Sequence, residues 1–295
     1  MKYLWIILIL ILAVSCKKVK LDTLAFPSVA LDHYEFKDYQ DPELIIPDSM
    51  MNANIQQTLV SFESVDVESG ESYTIYGLYM GDTATIDQDT IIYFCHGQAR
   101  HMDYYWTKQA LWAHVGGLHN YGVFMIDYRG FGMSEGKSSE QGLVDDANAG
   151  LDWLINQGAG SDRTYYYGYS LGCIPLIHMA GNRTDFKPQK LICESPLASV
   201  EYITQSSTGI NVDADFLTEL EFNNAEEIKK VQVPYFWIHG VEDDYVAIEN
   251  GEIIYGNYQG SFGKALRVAG ASHTDIPSVY GFGPYLNEMV EFIRM

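Results

Sequence analysis

The chain has 295 residues and a formal net charge of −21 at pH 7, with 18 lysines and arginines against 39 aspartates and glutamates. Hydrophobic residues make up 47% of the chain and aromatic residues 14%, which is enough to fill the core of one large domain. So acidic a chain is not expected to bind nucleic acid, and its charge disfavours strongly anionic substrates.

The first 15 residues are typical of a bacterial export signal. Lys2 supplies a positive charge, and the apolar run over residues 4–14 is too short to cross a bilayer comfortably. The run ends in small residues directly before Cys16, which resembles a lipoprotein signal whose cysteine is acylated; an ordinary secretory signal is the alternative. We therefore expect an exported protein of the bacterial cell envelope, lipid-anchored to a membrane through Cys16. Residues 16–58 are expected to form a tether and an N-terminal extension over the domain.

Residues 59–295 alternate between short apolar runs and amphipathic segments, which predicts a mostly parallel sheet covered by helices on both faces. Strands are predicted over residues 59–67, 73–80, 90–95, 123–127, 163–167, 191–194, 235–239 and 265–268, and helices over 108–119, 143–156, 173–180 and 285–293. The insertion at residues 197–232 is short, and two helices are predicted in it, at 216–221 and 225–230. We expect it to leave an open or lightly covered cleft.

The most informative motif is Gly168-Tyr169-Ser170-Leu171-Gly172, which lies between a predicted strand and a predicted helix. A serine between glycines at such a turn is typical of a nucleophile elbow, where the hydroxyl is exposed above the sheet. The alternative is a glycine-bounded turn with an ordinary serine. Downstream, Asp243 follows one predicted strand and His273 follows the next, so an acid and a histidine come after the serine in the order that the elbow chemistry requires.

Four blocks resemble those of the α/β-hydrolase superfamily. They are the His-Gly turn at residues 94–98, the segment at 127–136 with the pattern D-x-R-G-x-G-x-S, the serine elbow, and the block at 239–243 closed by His273. The resemblance implies an α/β-hydrolase fold over residues 59–295 with a short lid at 197–232. The segment between Pro196 and Pro234 is most similar to a lid-poor branch that includes protein depalmitoylases and monoacyl-lipid hydrolases.

The resemblance also implies a role for each site residue. Ser170 would be the nucleophile, His273 its base, and Asp243 the acid that orients the imidazole. The backbone N–H groups of Gln98 and Leu171 would form the oxyanion hole.

Three aromatic residues after the oxyanion turn, Tyr104, Tyr105 and Trp106, either line a substrate pocket or pack the following helix onto the sheet. Among the other histidines, we expect His101, His114 and His119 at the surface or the rim of the site and His178 in the core. No Cys-x-x-Cys occurs and no pair of histidines has convincing metal-ligand spacing, so neither a catalytic metal nor a cofactor is expected.

The function predicted from these residues is a serine hydrolase that cleaves an ester or thioester through a covalent acyl-enzyme. Anchoring beside a membrane makes an acyl lipid or an acylated protein a plausible substrate. Two alternatives remain open: an acyltransferase with the same triad, and a membrane-anchored lipoprotein that uses the fold only as a binding module.

Overall fold

A computed structural model of the chain describes residues 26–50, 55–98, 100–116, 121–203 and 220–295. The predicted export signal, Cys16, His119 and residues 216–219 of the first predicted lid helix lie outside these ranges. Within them, none of the helices combines the length and the apolar character that a membrane span requires.

The described residues form one sheet of eight strands in the order β1-β2-β4-β3-β5-β6-β7-β8. The strands are β1 Gln57–Val65, β2 Ser72–Met80, β3 Thr90–Cys95, β4 Tyr121–Asp127, β5 Thr164–Tyr169, β6 Lys190–Glu194, β7 Tyr235–Gly240 and β8 Gly263–Val268. β2 pairs antiparallel with β1 and with β4, and every other pair is parallel. Each predicted strand is confirmed within a few residues, and so is the mostly parallel sheet.

Seven α-helices lie entirely within the described ranges: α1 Met102–Gly116, α2 Glu140–Asn156, α3 Cys173–Asn182, α4 Asn224–Glu227, α5 Glu249–Asn257, α6 Ile276–Tyr280 and α7 Phe282–Arg294. The predicted start of α1 at Lys108 is wrong. The helix begins at Met102, because Met102, Tyr105 and Trp106 lie one turn apart and bury the same face. The second predicted lid helix is confirmed as α4 with the 3-10 turn Ile228–Lys230 that follows it. Neither α5 nor α6 was predicted.

Alternating side chains of the sheet build a separate core on each face. On β3, Tyr93 and Cys95 join the core under α2 and α3, whereas Ile92 and Phe94 join the core under α1 and α7. This alternation is what a strand buried on both faces produces. The sheet is therefore covered by helices on both sides, as the sequence predicts.

Residues 26–50, which we call the N-terminal strap, pack along α1. The Tyr34 hydroxyl donates to Asp127 Oδ2 at 2.7 Å, and the backbone N–H groups of Glu35 and Phe36 donate to the Asp103 carboxylate at 2.9 and 2.8 Å. Farther along the strap, two apolar side chains, Leu44 and Ile46, are buried in the core on the α1 side. Side-chain hydrogen bonds and apolar contacts thus fix the strap to the domain.

Two predictions about histidines are wrong. His101, expected at the surface or the rim, is only 2% exposed because the strap covers it and places the Tyr39 ring edge-on against its imidazole at 5.3 Å. His178, expected in the core, has 44% of its side chain exposed. It lies on the outer face of α3, where its ring is 3.7 Å from Glu227 Oε2.

Candidate active site

The serine elbow joins the end of β5 to the start of α3. Ser170 has a backbone φ of 51°, in the left-handed region that non-glycine residues rarely adopt, and is only 3% exposed. A Cβ on Gly168 would lie 2.8 Å from Cys173 Cα, and one on Gly172 would lie 1.9 Å from the Cys95 carbonyl oxygen. Both flanking positions therefore require glycine, since the chain turns back sharply against β3. The strained φ at Ser170 is typical of a functional position.

The structure brings Ser170, His273 and Asp243 together from three separate loops. His273 Nε2 lies 3.1 Å from Ser170 Oγ, and His273 Nδ1 lies 2.8 Å from Asp243 Oδ2. All three residues are at most 9% exposed. With Nδ1–H donating to Asp243, Nε2 can accept the serine proton, which is the arrangement that activates a serine hydroxyl.

Asp243 accepts hydrogen bonds on both carboxylate oxygens. The backbone N–H groups of Tyr245 and Val246 donate to Oδ1 at 3.0 and 2.8 Å. Burial by itself would raise the pKa of Asp243, but hydrogen bonds from His239 and His273 outweigh it and hold the pKa below its ordinary value. The carboxylate is thus ionised at neutral pH and oriented from both sides. Its neighbour Asp244 is exposed at the rim, with no contact to His273 among those that the structure records.

His239 is a functional-site residue whose contact the sequence did not reveal. Its Nδ1 accepts a hydrogen bond from Trp237 Nε1–H at 3.1 Å, so Nε2 carries the proton. That Nε2–H lies 2.8 Å from the Val246 carbonyl oxygen and 3.2 Å from Asp243 Oδ2. The block at residues 239–243 thus supplies the acid and also a histidine that contacts that acid directly.

The predicted oxyanion turn lies beside the elbow. His96 is buried, with Nδ1 2.8 Å from the Gly97 carbonyl oxygen and Nε2 3.0 Å from Asp127 Oδ1. These contacts fix the turn that ends in Gln98. Leu171 is the middle residue of the 3-10 turn Ser170–Gly172 and is 5% exposed. The two residues proposed for the oxyanion hole thus lie just after the ends of β3 and β5, two adjacent strands that pair in parallel.

A cavity of about 350 Å³ opens over these residues, within the size range of small-molecule sites. Its lining residues are Glu43, Gln98, Arg100, Tyr104, Tyr105, Tyr169, Ser170, Asp244, Tyr245, Ser272, His273 and Thr274. Two of the three predicted pocket aromatics, Tyr104 and Tyr105, line it. Trp106 does not, because its ring is buried in the core on the α1 side and its Nε1–H donates to Gln57 at 2.9 Å.

Two residues that line the cavity were not predicted from any sequence motif, Tyr245 and Glu43. Tyr245 donates from its hydroxyl to Gln98 Oε1 at 2.7 Å, and its ring lies 5.1 Å from that of His273, so it bridges the acid loop and the oxyanion turn. Glu43 comes from the N-terminal strap and also lines the cavity. Among the described residues, no group of three His, Cys, Asp or Glu side chains is arranged to hold a metal ion.

Comparison with known proteins gives the same fold. A family model, Hydrolase_4 (serine aminopeptidase, S33), matches residues 87–220. Alpha/beta hydrolase domain-containing protein 17B of Xenopus laevis is 28% identical over 203 residues, which is 68% of this chain and 65% of that protein. Alpha/beta hydrolase domain-containing protein aho-3 of Caenorhabditis elegans is 32% identical over 181 residues, which is 61% of this chain and 51% of that protein. The chain thus spans less than two thirds of the length of these relatives.

Solved structures of hydrolases share the architecture. The Pyrococcus furiosus esterase Pf2001 superposes with a TM-score of 0.62 at 16% identity, covering 89% of this chain and 98% of the esterase. The esterase domain of a Rhodothermus marinus protein superposes with a TM-score of 0.55 at 18% identity, covering 80% of this chain and 96% of that domain. At these identities the likeness to solved structures shows the fold alone. The chain has the α/β-hydrolase fold.

Proposed function

We propose that this chain is a serine hydrolase that cleaves a carboxylic ester or thioester through a covalent acyl-enzyme. The observation that carries the proposal is the hydrogen-bonded series Ser170–His273–Asp243, with atom separations of 3.1 and 2.8 Å, at the floor of a cavity. A binding module would not need a buried histidine that contacts both a serine and a carboxylate, whereas a serine hydrolase does.

The reaction follows from the geometry. His273 Nε2 takes the proton of Ser170 as Oγ attacks the acyl carbonyl carbon, and the N–H groups of Gln98 and Leu171 stabilise the resulting oxyanion. The tetrahedral intermediate collapses, the bond to the leaving group breaks, and His273 returns the proton to the departing oxygen or sulfur. Water then attacks the acyl-enzyme by the same steps, which releases the acid and regenerates the Ser170 hydroxyl.

The substrate class rests on the predicted membrane anchor and on the short lid. We propose that Cys16 is acylated and holds the enzyme at a membrane of the bacterial cell envelope, as the sequence before it indicates. An enzyme held there would meet acyl lipids and acylated proteins, which are also the substrates of the lid-poor branch that the segment between Pro196 and Pro234 resembles.

Labelling with a fluorophosphonate probe tests the mechanism. The wild-type protein should be labelled and should hydrolyse p-nitrophenyl esters of graded chain length. Ser170→Ala should lose the label and lower turnover by a factor on the order of 10⁴ to 10⁶, because the nucleophile is gone. Near-normal hydrolysis by folded Ser170→Ala would overturn the proposal, and absence of both label and hydrolysis in the wild type would favour a binding module.

A further inference from the structure

Glu43 is a buried carboxylate in the wall of the active-site cavity with an unused hydrogen-bonding oxygen. Only 2% of its side chain is exposed, and its Oε2 accepts no hydrogen bond. The charged group closest to that oxygen is Lys108, whose Nζ lies 3.7 Å away, which is beyond hydrogen-bond distance. A buried carboxylate oxygen without a donor is costly, so it calls for an explanation.

The charge of Lys108 is already neutralised by another residue. Its Nζ donates to Glu194 Oε1 at 2.8 Å and lies 3.3 Å from the centre of the Tyr169 ring. Glu194 is in turn fully engaged, because its Oε2 accepts from the hydroxyls of Tyr167 and Tyr285 at 3.0 and 2.5 Å. Three charged groups in contact, two carboxylates and one ammonium, carry a formal charge of −1 together. The uncompensated negative charge therefore falls on Glu43, the member that faces the cavity.

The other charges of the cavity do not neutralise Glu43. Arg100 also lines it, but 42% of its side chain is exposed, its guanidinium lies over the Tyr104 ring at 4.9 Å, and it forms an ion pair with Asp41 outside. Asp244 adds a further negative charge at the rim. The cavity thus presents a negative wall next to the nucleophile.

The N-terminal strap holds Glu43 firmly in this position. Its backbone N–H donates to the Tyr104 carbonyl oxygen at 2.9 Å, and the side chain of the next residue, Leu44, is buried in the core. The pKa of Glu43 is raised by burial, and the charge of Lys108 and a hydrogen bond with the Tyr169 side chain offset that only in part. A preformed but unsatisfied acceptor is what a substrate hydrogen-bond donor would complete, since binding supplies the missing partner.

From these contacts we propose that Glu43 is a specificity-determining residue that binds an ammonium group of the substrate beside the bond being cleaved. The N-terminal strap is then part of the substrate site. This inference rests on the proposed serine-hydrolase function and adds the chemistry of the group that the site selects.

Two matched substrate series test the proposal, one for each side of the scissile ester. On the acyl side, p-nitrophenyl esters of alanine, lactate and isobutyrate place an ammonium, a hydroxyl or a methyl group at the same position. On the leaving-group side, 2-aminoethyl and propyl esters of butyrate form the corresponding pair. The ratio of kcat/KM within a series measures selectivity and is insensitive to the amount of folded enzyme.

We expect the wild type to prefer the ammonium member in one of the series by about tenfold or more, as a charge-assisted hydrogen bond would give. Glu43→Gln should abolish that preference, because kcat/KM falls for the ammonium member far more than for the methyl member. Glu43→Leu should also abolish the preference. This second variant is needed because the glutamine amide in Glu43→Gln can still accept a hydrogen bond from the substrate ammonium and so preserve part of the preference. Glu35→Gln is the matched control, because it removes one charge from an exposed position of the same strap.

Three results would overturn the proposal: no ammonium preference in either series, a preference that survives in both Glu43 variants, or an equal loss on all substrates, which would make Glu43 structural. A preference for the lactate ester over the alanine ester would also contradict it, because the bound donor would then be neutral. If the methyl esters are cleaved in a Ser170-dependent way in each of these cases, the serine-hydrolase function stands. If no ester is cleaved, the function itself fails.

Discussion

Two buried carboxylates belong to the candidate active site, Glu43 in the wall of the cavity and Asp243 behind His273, and their surroundings are opposite. Asp243 receives two backbone N–H groups on one oxygen and two histidines on the other, at 2.8–3.2 Å. Glu43 has an oxygen that accepts no hydrogen bond and an ammonium at 3.7 Å. The pKa of Asp243 is lowered by the hydrogen bonds that outweigh its burial, whereas the pKa of Glu43 is raised by burial.

We interpret the difference as one between a carboxylate that orients a protein side chain, Asp243, and a carboxylate that we propose to bind substrate, Glu43. Every contact of Asp243 helps to hold His273 in one orientation, so its hydrogen bonds are complete before substrate arrives. An incomplete set, as at Glu43, costs stability in the free enzyme and is recovered only when a partner binds. The following predictions test this distinction, beginning with the largest effect.

Replacing Asp243 by asparagine should cause the largest loss. The amide can donate to His273 Nδ1 and so favour the wrong tautomer, which should lower turnover by a factor on the order of 10³ to 10⁴. Asp244→Asn is the matched control and should change turnover little, because that side chain is exposed at the rim. Steady-state kinetics of both variants on one activated ester would decide. The reverse ranking would contradict the assignment of Asp243 as the acid.

The sequence was sufficient to predict the parts of this site that depend on local motifs. The serine elbow, the acid and the histidine each end or follow a strand, and parallel strands bring their carboxyl ends to one edge of a sheet. Ser170, Asp243 and His273 could therefore be proposed together without coordinates. The three residues lie close together because of the sheet topology, and the order of the predicted strands and helices along the chain was enough to predict that topology.

Glu43 could not be predicted in the same way. It lies in the strap before the first strand, in a stretch with no motif, and it reaches the cavity only because Tyr34 and the Asp103 contacts fix the strap along α1. The buried state of His101 was missed for the same reason. These features depend on the docking of one segment onto another, which local patterns do not record.

The helix α5 was missed because its local preferences oppose a helix. It contains Asn250-Gly251 near its start, a pair that favours turns. Packing explains the choice: a Cβ at position 251 would lie 2.1 Å from Trp237 Nε1, and Asn250 Oδ1 accepts the Ala198 N–H at 3.0 Å. Tertiary contacts override propensity here, and they also position the Trp237 that donates to His239.

The second prediction concerns His239, which completes the hydrogen bonding of Asp243. His239→Gln should lower kcat by about tenfold, because Asp243 Oδ2 loses an oriented donor at 3.2 Å while His273 remains in place. KM should change little, since His239 does not line the cavity. A variant with kcat unchanged would show that Asp243 is held well enough by its other three hydrogen bonds.

His178→Gln is the control for that experiment. It makes the same replacement at a half-exposed histidine on α3, so kcat should stay at the wild-type value. If both variants lost activity equally, the effect at position 239 would reflect general destabilisation. A melting curve for each variant separates the two cases.

The smallest predicted effect is a difference in how stability depends on pH, and it addresses the comparison most directly. Asp243, with its lowered pKa, stabilises the fold above the ordinary aspartate pKa, and this contribution is lost as pH falls toward its pKa in the folded protein. Glu43, with its raised pKa, behaves in the opposite way: stability present below the ordinary glutamate pKa is lost as pH rises through the raised value.

Glu43→Gln should therefore raise the free energy of unfolding by about 1 kcal/mol at pH 7, and the gain should vanish near pH 4. Asp243→Asn should lower the free energy of unfolding at pH 7, and its deficit should shrink as the solution becomes acidic. Urea titrations of the two variants and the wild type at several pH values give both curves. A stability loss for Glu43→Gln at pH 7 would mean that its carboxylate is satisfied in the free enzyme, and the contrast between the two residues would disappear.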